Sequence, residues 1–97
     1  MLRHVVLFTW TEDTTAERRA EIVAALRRLP EQVGGMTAFA VGDDAGLVEG
    51  NAHTALVADF PDAEAFGRYR ADPQHLAVIA EYVTPSLAGR SAAQYEA

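Results

Sequence analysis

His75, Tyr69 and His4 are the residues of this 97-residue chain whose types suit proton transfer near neutral pH. His75 follows Asp72-Pro73, a pairing that starts a helix with Asp72 as N-cap and Pro73 at the first helical position. That puts His75 in the first turn. The positive end of a helix disfavours a charged imidazole, and a neutral imidazole is what a general base needs. The same residues also read as a plain cap, with the ring packed on a strand. Tyr69 could polarise a carbonyl through its hydroxyl, or be core with a wet tip. His4 could orient a substrate or act as a second acid. On an apolar strand face it could equally be a hydrogen-bonded structural residue.

The elements that must position these groups follow from periodicity. Met1–Trp10 (MLRHVVLFTW) reads as a strand apolar on both faces. His4, Val6, Phe8 and Trp10 share one side, and Val5 and Leu7 the other. From Ala16 the pattern turns helical, with Thr14 or Thr15 as cap and Ile22, Leu26, Leu29 and Val33 as one stripe. Pro30 should end this helix near Leu29. Gly34-Gly35 makes a turn, and Met36–Val41 is a second strand. Asp43–Gly50 is a loop, and Ala52–Phe60 a third strand with Thr54, Leu56, Ala58 and Phe60 on one face. Asp62 caps a helix that carries Ala65, Phe66 and Tyr69 inward. Asp72-Pro73 breaks it, and a second piece lined by Leu76, Ile79, Ala80 and Val83 runs to about Ala88, kinked at Pro85 and closed by Gly89. Arg90–Glu96 is a weak last strand.

This order, β-α-β-β-α-β, predicts an α+β, ferredoxin-like fold with a four-stranded antiparallel sheet and helices on one face. The first strand is nevertheless apolar on both faces, so the free sheet face needs a cover, and a second copy is the simplest one. The expected assembly is a homodimer through the sheet faces, a dimeric α/β barrel. Val5, Leu7, Ala55 and Val57 face the partner in it, and Trp10 and Phe39 are core or dimer contact.

Composition narrows the function. Hydrophobic residues make up 49% of the chain and charged residues 23%, which is ordinary for a single globular domain over 1–97. There is no cysteine, so disulfides and thiolate zinc sites are excluded. Three histidines without a close pair on one face make a metal site a poor reading. Asp43, Asp44 and Glu49 could hold a hard cation only loosely. The net charge of −6 speaks against nucleic acid, and the first apolar run is too short to span a bilayer. No cofactor, no membrane partner and a cytoplasmic location are the expectations.

Specific motifs point further. His4-Val5-Val6-Leu7-Phe8, Gly35-Met36, Phe39-Ala40-Val41-Gly42-Asp43, and Phe60, Tyr69, Pro73 and His75 at their spacing resemble the stress-responsive α/β-barrel (Dabb) domain family. The resemblance covers nearly the whole chain and implies a dimer. Within that family the plant olivetolic acid cyclases perform a cofactor-free aldol cyclisation of a linear polyketide. Their strand-one histidine and Tyr-x-x-x-Pro-x-His pattern fall here on His4, Tyr69 and His75. Two positions depart: a helix-one tyrosine of the cyclases falls at Leu26, and a strand-three histidine at Thr54, while His53 points to the opposite face. The resemblance implies a cofactor-independent, cyclase- or lyase-type enzyme acting on an apolar carbonyl or polyketide substrate. His75 would be base, Tyr69 the polarising donor and His4 the orienter. Val6, Phe8, Val23, Leu26, Thr54, Leu56 and Ile79 would contact the substrate. Two alternatives stand beside it: a non-catalytic stress-response dimer that binds a small apolar ligand, and a cofactor-free monooxygenase of the antibiotic-biosynthesis type.

Overall fold

A computed structural model describes Met1–Ala97. Its strands are β1 (Leu2–Trp10), β2 (Ala38–Asp43), β3 (Thr54–Phe60) and β4 (Leu87–Glu96). They form one antiparallel sheet in the order β2-β3-β1-β4. The helices are α1 (Ala16–Arg27), α2 (Leu29–Gln32), α3 (Ala63–Ala71) and α4 (Pro73–Val78). The fold is α+β and ferredoxin-like, as the element order predicts.

Capping places the helices. The Thr15 side chain accepts from the Arg18 N–H and starts α1, and Asp62 accepts from Ala65 N–H at 2.8 Å to start α3. Asp72 ends α3 in extended backbone and caps α4, accepting from Gln74 N–H at 2.8 Å with Pro73 at the first position. Pro30 sits inside the one-turn α2, where the main helix has already broken at Arg28. Gly34 and Gly35 have φ of 76° and 89°, a turn that side-chain-bearing residues adopt only under strain.

The layers meet through one sheet face. Val6, Phe8, Trp10, Leu56, Ala58 and Phe60 from the sheet bury against Ile22, Leu26 and Leu29 of the first helical stretch and Ala65 and Tyr69 of α3. Trp10 belongs to this core, stacked on Phe8 with ring centroids 5.2 Å apart, and Phe39 packs against its margin.

The segment after α4 departs from expectation. The helix does not continue to Ala88, and Gly89 does not end it; Gly89 lies within β4. Ile79–Val83 forms a π-helical turn and Thr84–Ser86 a 3-10 turn. Pro85 supplies the reason. It has no N–H for the carbonyl of Glu81, and its ring crowds that carbonyl. The Thr84 N–H reaches back five residues to Ile79 O instead, and Arg18 Nη2 donates to the freed Glu81 carbonyl at 2.9 Å. The chain then enters β4 at Leu87, opposite Trp10, because the exposed edge of β1 needs a partner along its full length. Similarly, β2 begins at Ala38 and extends to Asp43, and β3 begins at Thr54. His53 is drawn out of the ladder: its N–H donates to Phe8 O, and its Nδ1 accepts from the Trp10 N–H at 3.0 Å.

Candidate functional site

The strand alternation of β1 sends His4, Val6 and Phe8 toward the helices. Across the β1–β4 ladder these three stand opposite Gln94, Ala92 and Arg90. Above them α3 contributes Phe66, Tyr69 and Arg70, α4 contributes His75 and Leu76, and the π turn contributes Ile79 and Val83. Together with Leu26 and Leu56 these residues wall a cavity of about 580 Å³, a size suited to a small-molecule ligand.

His4, Tyr69 and His75 all line this cavity. The Tyr69 and His75 rings lie 4.2 Å apart between centroids, tilted by 40°. The His4 ring is 4.8 Å from Phe66, which packs edge-on to Phe60, itself 5.2 Å from Tyr69. One aromatic cluster therefore ties the two histidines together. Ile79 and Val83, four residues apart across the π turn, both face the cavity.

The histidines differ in setting. His4 is 6% exposed. Burial, with the nearby Arg90, His75 and Arg70 charges, pushes its pKa down to about 4, so it is neutral at neutral pH. The Gln94 side-chain nitrogen stands 2.9 Å from His4 Nδ1. Donating there, Gln94 leaves the ring proton on Nε2. His75 is half-buried, and its Nδ1 lies 3.4 Å from the Arg70 carbonyl. A proton on Nδ1 serves that carbonyl and leaves Nε2 with a free lone pair, the arrangement of a base. The His75 pKa also lies below the ordinary value. Burial is its leading cause, ahead of any effect of the helix end; Arg70 and Arg90 lower it further, while the Arg70 carbonyl and Asp72 oppose the shift. Burial pushes the Tyr69 phenol up to about 12, so it is a hydrogen-bond donor at all ordinary pH values.

The expected substrate contacts divide. Val6, Phe8, Leu26, Leu56 and Ile79 line the cavity. Val23 and Thr54 lie outside its wall. Val23 is core beneath α1. Thr54 is buried at the far end of the sheet, where its hydroxyl accepts from Trp10 Nε1 at 2.9 Å and donates to Asp43 at 2.8 Å. Periodicity put both on the correct face but could not say how far along it the cavity reaches. Arg70, Arg90 and Gln94 are lining residues that the sequence reading missed. Arg70 had a signal, being adjacent to Tyr69 beside the break at Asp72. Arg90 and Gln94 had none without the β1–β4 register. Asp44, considered above as a cation ligand, accepts from Gly46 N–H and Asn51 within its own loop.

Known proteins share this design. No functionally curated protein matches the chain. Among solved structures, a dimeric ferredoxin-like protein of unknown function from Thermobifida fusca is 34% identical over 99% of this chain and 90% of that one, with a TM-score of 0.90. A Dabb family protein with a ferredoxin-like fold from Mesorhizobium loti is 20% identical over 99% and 95% of the two chains, TM-score 0.83. A hydroxynitrile lyase from Passiflora edulis is 18% identical over 97% and 90%, TM-score 0.84. The last two likenesses are of fold alone. The model of the stress responsive A/B barrel domain matches residues 2–97, and with that match the chain belongs to the stress-responsive A/B barrel (Dabb) family.

Proposed function

We propose that this protein is a cofactor-independent enzyme that removes a proton next to the carbonyl of an apolar substrate. His75 Nε2 is the base, the Tyr69 hydroxyl donates to the carbonyl oxygen as charge develops there, and His4 orients the substrate from the cavity floor. The observation that carries this reading is the Tyr69–His75 pair. A neutral imidazole with one nitrogen on a backbone carbonyl stands beside a protonated phenol, both in the wall of a largely apolar cavity. The hydroxynitrile lyase of similar fold is a precedent for lyase activity on this architecture, and the resemblance to polyketide cyclases suggests a polyketide-like substrate.

The same proposal includes a homodimer formed through the sheet face that carries no helix. Val5, Leu7, Ala55 and Val57 lie together on that face, Val5 opposite Val57 and Leu7 opposite Ala55. Dimeric relatives of the same fold support it.

Keto–enol interconversion of nonane-2,4-dione, a neutral diketone with an apolar tail, tests the chemistry. The protein is expected to accelerate it, and His75→Ala to lose roughly 10²- to 10⁴-fold of that acceleration. A rate no greater than buffer alone refutes the base; tight binding without acceleration leaves a ligand-binding dimer.

A further inference from the structure

We propose that the cavity selects a ligand with a carboxylate head on an apolar tail, the head held at the cavity mouth by Arg70 and Arg90. This names the substrate class of the site proposed above and rests on the same cavity.

The chain carries 14 acidic residues against 8 basic ones, yet no Asp or Glu lines the cavity, and two arginines do. They arrive from different elements. Arg70 follows Tyr69 on α3. Arg90 stands opposite Phe8 in the β1–β4 register, on the sheet face that meets the helices. Both are exposed. The side-chain ion pairs of the fold engage other arginines: Arg3 with Asp59, Arg18 with Glu21, and Arg68 with Glu64. Arg27 is likewise occupied, donating to the Val41 carbonyl. Arg19, Arg28, Arg70 and Arg90 have no carboxylate partner, and of these four only Arg70 and Arg90 stand in the cavity wall. Arg70 lies over the Phe66 ring, 5.9 Å from its centroid. Phe66 in turn touches His4, and both arginine charges bear on both imidazoles.

A guanidinium recognises a carboxylate through paired N–H donors, and Arg does this better than any other side chain. Behind that mouth, Val6, Leu56, Ile79, Val83 and Leu87 offer a tail only apolar surface. A neutral amphiphile would fill the tail region and leave the guanidinium groups unpaired. With a carboxylate in place, the arginine charges that add to the effect of burial on His75 are compensated, so the ligand itself adjusts the proton affinity of the base.

Decanoate and decanol share a tail and differ in the head, so calorimetric titration of the whole protein with each at low salt tests the proposal. Decanoate is expected to bind at least about tenfold more tightly. Added NaCl should weaken decanoate alone. Arg70→Gln combined with Arg90→Gln should erase the preference while decanol still binds, and the corresponding Lys pair should retain part of it. Decanoate should also raise the histidine pKa values seen by NMR, an effect decanol lacks. Equal affinity for the two ligands in the native protein, or a decanoate affinity indifferent to salt, overturns the proposal even where the double variant fails to fold. The diketone assay is independent, because its substrate is uncharged. Enolisation without carboxylate preference refutes the head group and keeps the base. Carboxylate preference without enolisation refutes the base and keeps the head group.

Discussion

The two faces of β1 are both rich in apolar residues and do opposite things. Toward the helices it presents His4, Val6, Phe8 and Trp10, all buried within the protomer. Toward the other side it presents Arg3, Val5, Leu7 and Thr9, with Leu7 41% exposed. The neighbouring strands follow the same division. Leu56, Ala58 and Phe60 turn inward, while Ala55, Val57, Ala40 and Ala93 make a surface of small side chains. The inner face mixes large rings with gaps, and the gap between sheet and helices is the cavity. The outer face carries mostly small side chains beside Leu7 and Tyr95, and its Arg3–Asp59 pair is internally satisfied, a two-pronged ion pair at 2.8 and 3.0 Å. That pair holds the Asp59 carboxyl below the usual range. A gap walled by rings makes room for a ligand, whereas an exposed and mostly apolar face whose Arg3–Asp59 pair is closed on itself can meet its own copy. The contrast separates the two roles, since a substitution on one face should spare the other.

Leu7→Asp should have the largest effect. Each copy would carry a carboxylate into the sheet-to-sheet contact, at a cost on the order of 3 kcal/mol. Light scattering should report the native protein at twice 10.5 kDa and the variant at 10.5 kDa. A native mass of one protomer at micromolar concentration would remove the outer-face role altogether. On the inner face, Tyr69→Phe takes away the donor to the carbonyl oxygen. It should lower kcat for the diketone by roughly 10- to 100-fold with KM little changed, and leave the dimer intact; a change confined to KM would make Tyr69 a packing residue.

The acid response sharpens the inner face further. His4 is pushed down to about 4 from 6.5. Between those values the unfolded chain takes up a proton that the folded chain refuses. The contribution of His4 is therefore complete above about pH 6.5 and is lost as pH falls toward about 4. Urea midpoints measured across this window should decline in the native protein and decline less steeply in His4→Gln. Some slope remains in that variant, because His75 is shifted in the same direction. An unchanged slope would place the acid response elsewhere. The smallest effect belongs to Asp72→Ala, which removes the acceptor for Gln74 N–H at the start of α4. A loss of about 1 kcal/mol is expected, with diketone turnover falling because the cap orients His75; full turnover at reduced stability would make α4 a spectator.

Local chemistry carries far. Period-two alternation in β1 is enough to put His4, Val6 and Phe8 on one side. Phe66 and Tyr69, three residues apart on a short amphipathic helix, must face the same way. Asp62 and Asp72-Pro73 announce their own helix starts, because capping depends only on neighbouring backbone groups. These signals sufficed to name the three titratable residues that meet in the cavity, and the doubly apolar first strand was enough to ask for a second layer. Other features depended on distance in space. Arg90 and Gln94 face the cavity only because β4 pairs with β1 in one register, and a slip of one residue would turn both away. No local pattern in Leu87–Glu96 specifies that register, which appears only where the chain enters the strand with Leu87 opposite Trp10 and shifts at Thr9/Trp10. Val23 and Leu26 lie three apart on α1, and the way that helix crosses the sheet decides that Leu26 alone reaches the cavity. Thr54 shares the parity of Leu56, but the cavity ends before it, where Trp10 and Asp43 claim its hydroxyl. The depressed His75 pKa is the clearest case of the division. Its place in the first turn of α4 was written in Asp72-Pro73, yet the leading cause of the shift is burial against Tyr69 and its surroundings, which exists only once α3, α4 and the sheet have closed on one another.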